Sequence, residues 1–188
     1  VMKDNAINLR PGNAFMQDGK LLVVVKNEIN QPGKGASVAQ IEARDPITGN
    51  KTNLRFRTQE TIERADLFDS DYQFLFEVDG AYTFMNNETY EQVEVQGDMI
   101  GNPKAFLQEG MICSVQTHEG APINVTLPKS VVMEVVEADP VVKGQTQSSS
   151  YKPGMLENGE RVLVPPHIEA GTKIVVNTAD GSYMERAK

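Results

Sequence analysis

A single cysteine, Cys113, in 188 residues has no second thiol to pair with, which excludes an intrachain disulfide framework. Histidine is nearly as scarce, and His118 and His167 stand too far apart in sequence to suggest a zinc site. No apolar run approaches the roughly 18 to 20 residues that span a bilayer. The opening stretch "VMKDNAINLRPG" has no apolar core of the kind a signal peptide needs. The chain is therefore expected in the cytoplasm, away from membranes, where the sequons at Asn50, Asn87 and Asn124 are chance matches. Val1 ahead of Met2 reads as an addition, with Met2 as the expected natural start.

Recognisable catalytic machinery is missing too. Gly33-Lys34-Gly35 is not a phosphate-binding P-loop, which needs Gly, four residues, Gly, Lys and then Ser or Thr at a helix start. No GxSxG elbow, HExxH motif or carboxylate pair beside a nucleophile occurs, so no catalytic residue, metal or cofactor is expected. Cys113 sits in an apolar strand pattern and reads as core filler, and His167 reads as a surface loop residue. Phe56, Tyr82 and Phe84 alternate with polar residues, which favours core packing over base stacking.

What remains is the composition of a folding domain, 39% hydrophobic and 23% charged. The net charge of −8 is unevenly spread. Residues 1–64 carry ten Lys/Arg against seven Asp/Glu; residues 65–126 carry only Lys104 against eleven acids; residues 127–188 carry seven bases against eight acids. A basic first part beside a strongly acidic middle suits a protein whose N-terminal part approaches a polyanion such as RNA, although an acidic middle also serves solubility alone.

Strand signals dominate, at 20–29, 36–45, 53–58, 72–78, 81–86, 111–118, 123–128, 131–139, 160–165 and 172–178. Turns such as "QDGK", "QPGKG", "VDG" and "ADGS" separate them. "GNPKAFLQEG" (101–110) predicts a short helix, capped by Asn102, with Pro103 at its first position and Gly110 as its stop. "TIERADLFD" (61–69) has room for another helical turn, and "KGQTQSSSYKPG" (143–154) reads as a long exposed loop. Short strands at regular spacing predict an all-β chain of three small barrels, over 1–64, 65–127 and 128–188, each marginal alone and packed on its neighbours.

One cation stands apart. In "NQPGKGASV" (30–38) Pro32 presets the backbone and Gly33 and Gly35 permit positive φ, so a tight hairpin tip is expected to hold out Lys34 with no neighbouring side chain to pair with it. Taken alone, that loop also fits a solubilising residue.

The loop has company. "LRPGNAF", "QPGKGAS", "FRTQETIERAD", "FMNNETYEQ", "EADPVVKGQT" and "KPGMLENGERVLVPPHIEAGTKIVVNTADGSY" occur in this order, and together the chain resembles the bacterial elongation factor P family over essentially its whole length. Lys152, Gly159, Val162, Val164, Pro165, Ile168 and Gly171 fall at the spacing of the family's C-terminal signature; Gly154 departs from its usual alanine.

The resemblance implies an N-terminal SH3-like (KOW-type) barrel followed by two OB-fold barrels arranged as an L. It implies a monomeric, non-enzymatic factor that binds the 70S ribosome, its RNA and proteins, between the peptidyl and exit sites beside P-site peptidyl-tRNA, and relieves stalling at consecutive prolines. The hairpin of Gln31, Pro32, Gly33, Lys34, Gly35 and Ala36 would point at the peptidyl-transferase centre. Lys34 would be the position that a modifying enzyme extends, by a β-lysyl group in relatives with lysine there. Gly101, Asn102 and Pro103 would lie near the tRNA elbow, and Gly144, Gln145 and Thr146 near the exit-site codon, with Gln145 where relatives often have aspartate. Arg10, Lys26, Arg55 and Arg57 would supply the basic character of the first barrel. An elongation factor P-like paralogue and a general OB-fold RNA-binding module are the alternatives.

Overall fold

The computed structural model describes residues 2–140 and 150–188, and they form three antiparallel sheets in chain order. The first contains β1 (Met2–Asn5), β2 (Ala14–Gln17), β3 (Lys20–Asn30), β4 (Val38–Arg44), β5 (Lys51–Arg57) and β6 (Thr61–Ala65), ordered β1-β6-β2-β3-β4-β5. The second contains β7 (Phe68–Val78), β8 (Ala81–Asn86), β9 (Gln92–Gln96), β10 (Ile112–His118) and β11 (Ala121–Thr126), ordered β11-β10-β7-β8-β9. The third contains β12 (Ser130–Ala138), β13 (Lys152–Leu156), β14 (Arg161–Val164), β15 (Lys173–Asn177) and β16 (Tyr183–Arg186), ordered β14-β13-β12-β15-β16. The all-β class expected from strand alternation is the class observed.

Alternation explains the cores. Along β4, Ala39, Ile41 and Ala43 are buried and the residues between them are not, and β10 does the same with Cys113, Val115 and Thr117. β-Bulges adjust the longer strands: β3 is irregular between Val24 and Lys26, β7 between Phe74 and Phe76, β12 between Val135 and Glu137. Each lets a strand bend and curl the sheet around its own core.

The sheets pack on one another. One apolar cluster runs without interruption from Phe74, Phe84 and Phe106 of the second unit to Val131, Leu156 and Ile174 of the third. A smaller one joins Ala14, Val23 and Ala65 of the first sheet to Ile123 of the second.

Several sequence-based expectations change. Residues 61–65 are a strand, not a helical turn, because Phe15 and Met16 in β2 and the whole of β1 pair with them; Ile62 and Ala65 are buried there. The helical segment within 101–110 is a 3-10 stretch over Asn102–Phe106, preceded by a single α-turn, α1 (Gly97–Ile100). Asn102 is the first residue of that stretch and not its cap; Gly101, at φ 79° and ψ −158°, holds the cap position and is the turning point between the two pieces. Lys152, Pro153 and Gly154 belong to β13, not to a loop. Pro153 is tolerated there because it pairs only with Leu163 of β14, beyond the last β12 pair at Ala138 and Gly154. A Cβ on Gly154 would lie 3.1 Å from Glu137 O, so at this bulge glycine lets two strands approach closely. Gly144, Gln145 and Thr146 lie outside the described residues.

Candidate functional site

β3 and β4 extend beyond the core of the first sheet. On β3 burial ends at Val24, and even Ile29, on the side that faces the core lower down, is 44% exposed. The two strands remain paired as far as Asn30 and Val38, and β5 supports β4 to the same level through the pair Val38–Arg57. The base is tied where the Thr58 amide donates to Ser37 O at 3.2 Å while Thr58 O accepts from the Ile7 amide at 3.1 Å.

On this arm sits the loop of residues 31–37, whose first six residues are all exposed. Pro32 to Gly35 form a β-turn closed by the Gly35 amide donating to Pro32 O at 3.0 Å, with Lys34 at its third position. Neither Gly33 nor Gly35 has positive φ, contrary to expectation. A seven-residue loop closes through an ordinary turn, whereas left-handed residues are demanded by two-residue hairpins. The glycines act through missing side chains. A Cβ on Gly35 would stand 3.3 Å from Pro32 Cγ, while Gly33 has nothing within 4 Å. Lys34 therefore extends from a stripped tip, and among the described residues no carboxylate or hydrogen-bond acceptor is paired with it.

The other basic candidates divide into two kinds. Arg10 is folded onto its own turn, donating through Nη1 to Ile7 O at 2.9 Å and Leu9 O at 3.4 Å. Lys26 lies 2.7 Å from Glu28 Oε1, a hydrogen bond and ion pair that hold its pKa above the ordinary lysine range. Arg55 and Arg57 are exposed, on one side of β5, with no ion pair among the described residues.

Sequence reasoning missed Asn27. From β3 its Nδ2 donates to Ala6 O at 3.2 Å and Leu9 O at 2.9 Å, bracing the arm against the 3-10 turn Ala6–Asn8, while its Oδ1 is buried without a partner among the described residues. Asparagine in a strand run gives no sequence signal for such a brace.

Gly101, Asn102 and Pro103 lie on the second sheet's connection, and no hydrogen bond among the described residues links them to the hairpin. Gly101 donates to Gly97 O at 2.9 Å and accepts from the Lys104 amide at 3.1 Å, which fixes the bend. The segment that follows is fastened to the third sheet, with Asn158 Nδ2 donating to Ala105 O at 2.8 Å. Phe106 fills the space left by Gly181, whose Cβ would stand 3.1 Å from the ring.

Among the described residues no pair of groups is poised for acid, base or nucleophilic work. Cys113 is buried, and burial pushes its thiol up to about 11, the reverse of an activated thiolate. His167 is exposed; Phe56 and Phe84 are buried, and Tyr82 is partly buried, with its hydroxyl pKa raised by that burial. Among the described residues no cluster of His, Cys, Asp or Glu is arranged to hold a metal ion, and no helix is long and apolar enough to cross a membrane.

Three family models match the chain in order. "Elongation factor P (EF-P) KOW-like domain" covers residues 5–62, "Elongation factor P (EF-P) OB domain" residues 67–125, and "Elongation factor P, C-terminal" residues 131–186. The chain is 57% identical over 187 residues to "Elongation factor P" of Rhodospirillum centenum and 52% identical to that of Rhodospirillum rubrum, with 100% of each chain covered. Among solved structures it is similar to "Eukaryotic translation initiation factor 5A" from Methanococcus jannaschii, at a TM-score of 0.56 and 20% identity, over 67% of this chain and 92% of that one. At that identity the likeness concerns the fold.

Proposed function

The chain belongs to the elongation factor P family of translation elongation factors, and from that premise we propose that it binds the ribosome between the peptidyl and exit sites, beside peptidyl-tRNA, and stimulates peptide bond formation at consecutive prolines through the Lys34 loop. The observation that carries this reading is the bare hairpin: a lysine on an arm longer than its core requires, with no counter-charge beside it among the described residues. Such a cation is suited to touching phosphate or ribose and is accessible to a modifying enzyme.

Proline reacts slowly as donor and acceptor because its ring restricts the geometry of attack. A factor that holds the acceptor end of the P-site tRNA restores reactivity by positioning, which supplies in advance the orientational entropy that a bimolecular step must otherwise lose. The protein then contributes orientation and charge rather than a catalytic group, acts as a monomer, and works wherever ribosomes do. A β-lysyl group on Lys34 would lengthen the reach of the same cation and add donors along the tRNA backbone. Gly101, Asn102 and Pro103 would meet the tRNA elbow by shape, and Gly144, Gln145 and Thr146 the exit-site codon.

The test is a reporter with three consecutive proline codons in cells lacking the factor. Wild type restores full-length product, Lys34→Ala does not, and a proline-free reporter is unaffected by either. Intact mass of the protein from its native host gives an added mass on the Lys34 peptide if the residue is extended. Equal proline-reporter output with and without the factor would overturn the reading. Tight, salt-sensitive binding to free RNA would favour a general RNA-binding module instead, a reading disfavoured by the second unit's eleven acids against Lys104.

A further inference from the structure

Above Val24 the strand β3 loses support on one side. Its pairing with β2 and with the residues just before β2 ends at Val24, and from Lys26 to Asn30 its ladder runs to β4 alone among the described residues. The register slips between Val24 and Lys26, so the arm begins at a bulge, where a strand bends. β4 is anchored by buried Ala39 and Ile41 and, at its upper end, by the Thr58 amide on Ser37 O. β3 has no buried residue at these levels.

Asn27 supplies the missing tie. It stands opposite buried Ile41, on the core side of the arm, and faces a rigid segment. Ala6 and Leu9 of that segment are fully buried, and its Ala6 and Ile7 amides donate to Glu60 O at 3.0 Å and Thr58 O at 3.1 Å. Asn27 Nδ2 reaches Ala6 O at 3.2 Å and Leu9 O at 2.9 Å. Two bonds to one fixed segment set a direction, where a single bond would leave a pivot. A leucine on this core-side position would bury more apolar surface, and asparagine gives that up for two directed donors.

We propose that Asn27 is a positioning residue whose amide sets the angle at which the arm leaves the core, and so the place where Lys34 stands. The inference rests on the reading of Lys34 as the group presented to peptidyl-tRNA, and adds what aims it. From the bulge at Val25 to Asn30 the strand runs about 17 Å, so a tilt of about 10° at the bulge carries its end about 3 Å. A misplacement of about 1 Å at a reacting centre can cost about a hundredfold in rate, so a tilt of this size is large on the scale that matters.

The experiment uses the full-length chain with Asn27→Leu, which keeps the bulk and removes both donors, and with Asn27→Asp, which also sets a carboxylate against the two carbonyls. Amide hydrogen exchange reads the brace: residues 26–30 are expected to exchange about tenfold faster or more, while Phe15 and Leu22 at the base keep their protection. Formation of a proline-proline peptide bond on 70S ribosomes, followed across factor concentration, reads the aim. The rate at saturation is expected to fall about tenfold or more, with the half-saturating concentration within about twofold of wild type. A saturated rate equal to wild type overturns the proposal; if the half-saturating concentration alone rises, the amide serves stability and not aim. Unchanged exchange in the arm overturns it too, because the arm is then held without Asn27. Should Asn27→Asp fail to fold, Asn27→Leu decides. A wild type that does not speed the reaction overturns the reading of Lys34 and the aim with it, and hydrogen exchange still tells that failure from the failure of the brace.

Discussion

Lys34 is exposed and Cys113 is buried, and each was legible in the sequence for a different reason. Lys34 is bare because Pro32, Gly33 and Gly35 leave nothing beside it, which the letters state directly. Cys113 is buried because it alternates with polar residues along β10. A thiol held at about 11 is expected to resist alkylation at pH 8 in the native protein and to react promptly once the chain is unfolded, as peptide mass spectrometry would record. The same shift has a stability sign. The native state keeps the proton that the unfolded chain releases near the ordinary thiol value of 9.0, so stability falls as pH rises from there toward 11. The fates of Arg10 and Lys26 were not legible, because a backbone carbonyl or a carboxylate two residues along decides whether a cation is available.

At the scale of elements, sequence alternation found the longer strands and missed the shorter ones, interior strands among them. β1, β2, β6, β9, β13 and β16 are short, polar or interrupted, as in "MKDN" and "KPGML", and they are strands because a neighbour supplies the hydrogen bonds. Turn glycines were found but their roles were not separated. Gly101 occupies backbone space that L-residues avoid, so Gly101→Ala is expected to cost about 1–3 kcal/mol. Gly33 has negative φ and open space, so Gly33→Ala is expected to stay within about 0.5 kcal/mol of wild type. Urea denaturation of the two variants checks the contrast. If Gly33→Ala nevertheless weakens proline-dependent synthesis, the clear space around Lys34 matters for function rather than for folding.

Across the whole molecule the joints matter as much as the sheets. The second and third units share one apolar cluster, and Phe106 bridges them against Gly181. Phe106→Ala is expected to cost about 3–5 kcal/mol and to split one calorimetric unfolding transition into two, since a small barrel alone is marginal. A single, merely lowered transition would mean that the remaining packing keeps the units cooperative.

The sequence by itself determined the all-β class, the three-part charge division, the hairpin with its lone lysine and, through six ordered motifs, the family. All of these are properties of neighbouring residues or of their order. The tertiary structure decided which cations are free, how far the hairpin arm outruns its core, and which glycines are conformational and which merely small. It also fastened the 3-10 stretch after Gly101 to the third sheet. Those outcomes depend on partners brought close by folding, because a counter-ion, a bracing carbonyl or a packing notch is in place only once the strands lie side by side.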